Sequence, residues 1–129
     1  MNITRIDHIA IICSDYEVSK RFYCEALGFE VVQEVHREDR NSWKCDLKIG
    51  DRYQLELFSF LNPPKRLSYP EACGLRHLAF EVADLDAAVE ELKSKGVQCE
   101  EVRFDETRDG KKYTFFYDPD GLPLELCEA

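Results

Sequence analysis

Residues 4–13 alternate between polar and apolar side chains, the two-residue period of a half-buried strand. The period then lengthens to that of a helix. Ser14-Asp15-Tyr16-Glu17 places a capping side chain and an acid three residues on, resembling a capping box. Val18, Phe22 and Ala26, with Tyr23 and Leu27, form an apolar stripe at helical spacing, and Gly28 suits the left-handed residue after a last turn. Strands are predicted near 29–36, 42–49 and 53–60, parted by polar or Gly-Asp turns.

The pattern then recurs. Ile6-Asp7-His8-Ile9-Ala10-Ile11 aligns with Leu75-Arg76-His77-Leu78-Ala79-Phe80 at an offset of 69 residues, Asp15 falls on Asp84, and Leu55-Glu56-Leu57 falls on Leu124-Glu125-Leu126. The helices close with Gly28 and Gly96, so the second is one residue shorter. The second copy predicts strands near 75–83, 97–102, 112–117 and 122–127 around a helix at 85–95, with turns at 108–111 and 118–121. The chain therefore reads as a single α+β domain over 1–129, a tandem of βαβββ modules at 1–61 and 74–129 joined by the Pro-containing linker 62–73.

Alternation sorts these strands onto two faces. Ile9, Ile11 and Cys13, matched by Leu78, Phe80 and Val82, belong under the helices, as do Leu55, Leu57, Leu124 and Leu126. His8 and Glu56, and their repeats His77 and Glu125, fall on the opposite faces, beside the small Ala10 and Ala79. Both pairs are separated by the same 48 residues, in a chain with only three histidines. Neighbouring positions have diverged: Asp7 stands against Arg76, and Ile12 against Glu81. Imidazole nitrogen with carboxylate oxygen suits one borderline divalent ion per site, Zn²⁺ or Ni²⁺ with Co²⁺ and Mn²⁺ as alternatives, and two carboxylates neutralise its charge. His36 has no repeat partner and is expected at the surface or a pocket rim.

Composition narrows the partners. With 17 Lys and Arg against 26 Asp and Glu, the formal charge of −9 repels phosphate backbones and anionic lipid, which excludes nucleic acid and membrane surfaces. No segment approaches the roughly 20 apolar residues of a membrane span, and the first residues lack a signal-peptide pattern, so a cytoplasmic protein with a small-molecule substrate is expected. Six scattered cysteines without a C-x-x-C read as reduced, mostly buried thiols.

The paired modules, the four donors, Phe22-Tyr23 with Leu27-Gly28-Phe29, and the closing Asp118-Pro119-Asp120-Gly121-Leu122-Pro123-Leu124-Glu125 together resemble the vicinal oxygen chelate superfamily over essentially the whole chain. That resemblance implies modules that form a curved mixed sheet around a metal site. Within the superfamily, the His8, Glu56, His77 and Glu125 set is similar to glyoxalase I. Arg37-Glu38, Ser42-Trp43-Lys44, Glu56-Leu57-Phe58-Ser59-Phe60 and Pro63-Pro64 resemble small bacterial glyoxalase-like members.

The implied activity is a metal-dependent, lactoylglutathione lyase-like isomerisation. A hemithioacetal of a 2-oxoaldehyde such as methylglyoxal becomes a 2-hydroxyacyl thioester by enediolate proton transfer, with Glu125 as base and Glu56 as the symmetric alternative. Glutathione-dependent members carry Arg four residues after the first ligand and Asn four after the first Glu. Here Ile12 and Phe60 stand there, which leaves the thiol cosubstrate open. Arg37, Lys44, Arg76 and Lys112 are candidate polar contacts to substrate, and Trp43, Phe58, Phe60 and Phe115 a candidate apolar wall. The resemblance also implies a homodimer, with each site inside one chain or shared between two. The alternative is a metal-binding superfamily member with another substrate: a dioxygenase, an antibiotic- or thiol-modifying enzyme, or a binding module.

Overall fold

Parallel pairing between the first and last strands of a module organises each half of the computed structural model, which describes residues 1–129. In the unit Met1–Pro64, β1 (Ile9–Cys13) runs parallel to β4 (Arg52–Ser59), and β4 pairs antiparallel with β3 (Ser42–Ile49), which pairs with β2 (Glu30–Arg37). The sheet order is β1-β4-β3-β2. The unit Lys65–Ala129 repeats it as β5-β8-β7-β6, with β5 (Leu78–Val82), β6 (Arg103–Asp105), β7 (Lys111–Tyr117) and β8 (Pro123–Glu128). Each module thus makes one mixed four-stranded sheet, as the βαβββ pattern predicts.

The helices α1 (Tyr16–Arg21) and α2 (Leu85–Ser94) follow the first strand of each unit. Their caps are the repeat-related aspartates: Asp15 Oδ1 accepts from Val18 N at 3.2 Å and Asp84 Oδ1 from Ala87 N at 2.9 Å. The cap in the first copy is therefore Asp15, one residue later than the Ser14 box, because Asp15 is the last residue with extended backbone. The predicted continuous first helix is also corrected. After Arg21 it widens into a π turn over Phe22–Ala26, closed by Leu27 N to Phe22 O at 3.2 Å. The residue that the first copy has in excess is absorbed there. Both helices then end at a left-handed glycine, Gly28 at φ +75° and Gly96 at φ +81°.

The buried core comprises Ile11, Cys13, Cys45, Leu47, Leu55 and Leu57 of the sheet with Tyr23 of the helical segment in the first unit, and Phe116, Leu124 and Leu126 of the sheet with Leu85 and Leu92 of α2 in the second. A fully buried leucine contributes on the order of 2 kcal/mol. All six cysteines are free; Cys13, Cys45 and Cys127 are buried, and Cys73 is exposed. No helix is long and apolar enough to cross a membrane.

Three strand predictions shift. β1 begins at Ile9 rather than residue 4, because its pairing with β4 starts at Ile9↔Leu55, where a bulge interrupts β4. By the repeat, β5 covers only Leu78–Val82. The strand expected at 97–102 lies instead at 103–105. Residues before it are fastened to β7 irregularly, by Glu100 N to Phe115 O at 2.8 Å and by Thr114 Oγ1 to Glu100 O at 2.7 Å. A side chain there takes up a carbonyl that a regular ladder would have used.

Candidate metal centre

Each unit brings one histidine and one glutamate together on the face away from its helix. Ala10 pairs with Glu56 and Ala79 with Glu125, so each glutamate projects beside an alanine at the start of the parallel ladder. The histidine just ahead of that ladder leans over the alanine. His8 Nε2 lies 3.3 Å from Glu56 Oε2, and His77 Nε2 lies 2.9 Å from Glu125 Oε2.

The surroundings of the two pairs differ. Glu56, 9% exposed, has its Oε1 taken by the Tyr53 hydroxyl, which donates a short hydrogen bond, and by Lys44 Nζ at 3.1 Å. Lys44 also meets Asp46 Oδ1 at 2.9 Å. Burial alone would raise the Glu56 carboxyl, but the Tyr53 and Lys44 hydrogen bonds outweigh it and hold it below the usual carboxylate range. The His8 Nδ1 hydrogen bond to Asp7 Oδ2, at 2.8 Å, raises the imidazole above its ordinary value. It also fixes the ring, leaving Nε2 towards Glu56.

In the second unit the groups around the carboxylate, other than His77, are apolar or neutral. Glu125 Oε1 accepts only from the Cys127 thiol at 3.2 Å, and Phe115, paired opposite Glu125, packs edge-on against His77 with centroids 5.1 Å apart. Arg76 Nη1 donates to His77 Nδ1 at 3.2 Å, so Nε2 carries the proton that reaches Glu125.

Both pairs fit a divalent ion. Bonds of about 2.1 Å at angles between octahedral and tetrahedral set neighbouring donors about 3.0–3.4 Å apart, close to the 2.9 and 3.3 Å found. In both, the carboxylate is divided: Oε1 is occupied by protein donors and Oε2 faces the imidazole. No group of three or more His, Cys, Asp or Glu side chains that could hold an ion gathers in the chain. Each unit supplies one imidazole, from the residue just before its first strand, and one carboxylate, from its last strand.

The other predicted contacts divide by face. Arg37, Lys44 and Phe58 share the Glu56 face, and Phe60 stacks on Phe58 with centroids 5.9 Å apart. Ile12 pairs with Phe58 and is exposed there. Arg76 and Phe115 line a cavity of about 480 Å³ in the second unit with Arg66, Tyr69 and Tyr117. Trp43 and Lys112 are not brought to these faces. Trp43 sits in phase with Cys45 and Leu47, stacks on Tyr16 and lies tilted against His36, on the helix side. Lys112 is in phase with buried Thr114 and Phe116, and its Nζ meets Asp86 of α2 at 3.0 Å.

Tyr53 is the site residue that alternation misses. Leu47 pairs with Leu55 but Lys48 with Tyr53, so Gln54 is an extra residue. This bulge turns Tyr53 onto the Glu56 face, where it also stacks against His8 at 5.9 Å. A tyrosine beside a Gly-Asp turn, Gly50-Asp51, was the only signal in the sequence.

The Glyoxalase/Bleomycin resistance protein/Dioxygenase superfamily model matches residues 5–126. The chain is 58% identical to the uncharacterized protein YaeR of Escherichia coli K12 over 128 residues, 99% of this chain and 98% of that protein. It is 30% identical to human mitochondrial methylmalonyl-CoA epimerase over 139 residues, covering 99% of this chain and 76% of that protein. The crystal structure of a glyoxalase family protein from Enterococcus faecalis, 50% identical, superposes with a TM-score of 0.91 over 99% of this chain and 100% of that one. With repeated βαβββ units, a His–Glu pair on each and a match along nearly its whole length, the chain belongs to the glyoxalase/bleomycin resistance/dioxygenase superfamily.

Proposed function

We propose that this chain is a metal-dependent isomerase of the glyoxalase I kind, acting on the hemithioacetal of a 2-oxoaldehyde such as methylglyoxal and releasing a 2-hydroxyacyl thioester. The observation that carries this reading is the repetition of one His–Glu pair, with Oε2 turned to Nε2 in both units. His8, Glu56, His77 and Glu125 are then the donors for one Zn²⁺ or Ni²⁺. When bound, the ion supplies Lewis-acid charge neutralisation for two neighbouring substrate oxygens, which acidifies the C–H bond between them.

The unequal surroundings divide the work of the two carboxylates. Glu56 is pinned by Lys44 and Tyr53 and stays ionised as a ligand. Glu125 has only a thiol and an imidazole as partners beside the Phe115 ring, and so is the freer group. It takes the proton from the carbon that bears sulfur and returns it to the adjacent carbon. A hydroxyl proton moves in the same direction, from the oxygen on the sulfur-bearing carbon to the oxygen on its neighbour, so the carbonyl comes to stand next to sulfur and no oxidant or co-reactant is consumed.

The test combines metal titration of the purified protein with ultraviolet detection of thioester from methylglyoxal and a panel of thiols, glutathione included. Divalent-ion binding and turnover with at least one thiol are expected, with Glu125→Gln lowering kcat by roughly 10²–10⁴-fold. Failure to bind an ion, or turnover that survives Glu125→Gln, overturns the reading. Sedimentation measures whether the working protein is the homodimer that the glyoxalase I resemblance implies. The relation to methylmalonyl-CoA epimerase favours one second reading, inversion at a carbon next to a thioester by the same proton transfer. Deuterium exchange into an acyl thioester, without thioester formation from methylglyoxal, identifies it.

A further inference from the structure

Arg37 closes β2 opposite Ser42, and the pairings Arg37↔Ser42, Lys44↔Phe58 and Asp46↔Glu56 set it on the Glu56 face. Its guanidinium carbon lies 5.2 Å from the centroid of the Phe58 ring, and Nη2 donates to Ser42 Oγ at 3.4 Å. Nε is buried and bonds to nothing. The ion pairs of this unit, at Lys20, Lys44, Lys48 and His8, leave Arg37 out. A chain with a formal charge of −9 has acids to spare, yet none neutralises this half-buried cation. An unmade bond at a buried N–H destabilises a fold unless something else fills it.

We infer that Arg37 anchors an anionic group, a carboxylate or a phosphate, at the end of the arm of the substrate whose vicinal oxygens bind at His8 and Glu56. This rests on the isomerase reading above and adds the class of thiol. Phe58 lies two residues beyond Glu56 on the same face, about 7 Å along the strand, so the arm is short. Ile12, paired with Phe58, and Phe60, stacked on it, add apolar surface beside this path, while Lys44, opposite Phe58, has its charge already taken by Asp46 and Glu56. The arm therefore carries its charge at its tip. The planar fork of a guanidinium matches both carboxylate and phosphate, and the Phe58 ring beneath it holds the plane.

The test uses hydroxamates, which offer two vicinal oxygens and do not react. N-hydroxysuccinamate, its neutral carboxamide and the corresponding phosphonate are titrated calorimetrically into Zn²⁺-loaded protein. The ¹⁵Nε–¹H signal of Arg37 is followed in parallel, with and without Zn²⁺. An anionic probe is expected to bind roughly tenfold more tightly than the carboxamide, with Arg37→Gln reducing that preference to less than twofold and Arg37→Lys retaining part of it. The Arg37 signal is expected to move saturably. Whichever of carboxylate and phosphonate binds more tightly names the anion. Equal binding of charged and neutral probes to the loaded wild-type protein overturns the inference and leaves the isomerase reading standing. Anion-dependent movement of the Arg37 signal without Zn²⁺-dependent hydroxamate binding upholds the anion site and overturns the isomerase reading. No response by either measure overturns both.

Discussion

Tyr53 donates a hydrogen bond to Glu56 Oε1 although strict alternation along β4 would put residues three apart on opposite faces. The bulge at Gln54 makes the contact and leaves Oε2 as the oxygen that faces His8. Tyr53→Phe removes the donor while keeping the ring against His8. The expected result is an unchanged fold and a Zn²⁺ affinity lower by roughly tenfold, read by calorimetry. An unchanged affinity would show that Lys44 alone orients the carboxylate.

Four donors per chain predict one divalent ion per chain, whether a site forms within one copy or between two. At a free-ion concentration of about 100 Kd, binding raises stability by about 2.7 kcal/mol. Glu56→Gln and Glu125→Gln should each weaken this stabilisation in thermal melts. Two ions per chain in mass spectrometry under non-denaturing conditions would mean that each pair binds alone.

Glu34 ties β2 to α1 by accepting from the Tyr16 hydroxyl at 2.7 Å and pairing with Lys20. Lys20 and then Tyr16 hold its carboxyl below the ordinary range. Its contribution to stability is therefore present above the unfolded-state pKa of about 4.3 and is lost as pH falls through the lower folded-state value. Glu34→Gln is expected to cost about 1–2 kcal/mol at pH 7, with the gap to wild type closing in acid. Denaturant melts between neutral and acid pH check this. A gap that widens on acidification contradicts it.

Asp118 opens the turn into β8, which carries Glu125. Its buried Oδ1 accepts from Asp120 N and Leu122 N, both at 2.9 Å. Asp118→Ala leaves two backbone donors without this acceptor and is expected to cost about 2–3 kcal/mol. Asp118→Asn keeps an oxygen in place and should cost less than half as much in the same melts.

Much of this arrangement is legible in the sequence because one module explains the other. The 69-residue offset locates both histidines and both glutamates, and Leu55 and Leu57, buried under the helix, identify the face that Glu56 avoids. Alternation reports a face only while register is unbroken, which is why Tyr53, beyond a bulge, escapes it. Trp43 and Lys112 belong to the opposite case: their phase was readable from Cys45 and Thr114, but residue type suggested a site role. The strand at 103–105 was hidden because the hydrogen bond from Thr114 to the Glu100 carbonyl is a side-chain choice that no periodicity encodes. Arg37 was visible as a cation, but not its missing partner, which depends on where every nearby acid has gone.

The π turn at Phe22–Ala26 locates the mechanical slack of the architecture. The first helical segment carries one residue more than its repeat, yet both His-to-Glu separations remain 48 residues. Length variation is taken up in a coil of backbone that holds no donor, while the sheets act as rulers. Natural insertions and deletions in such a scaffold should accumulate in the helices and outer loops, and redesign can shorten or lengthen α1 by one residue without moving either His–Glu pair.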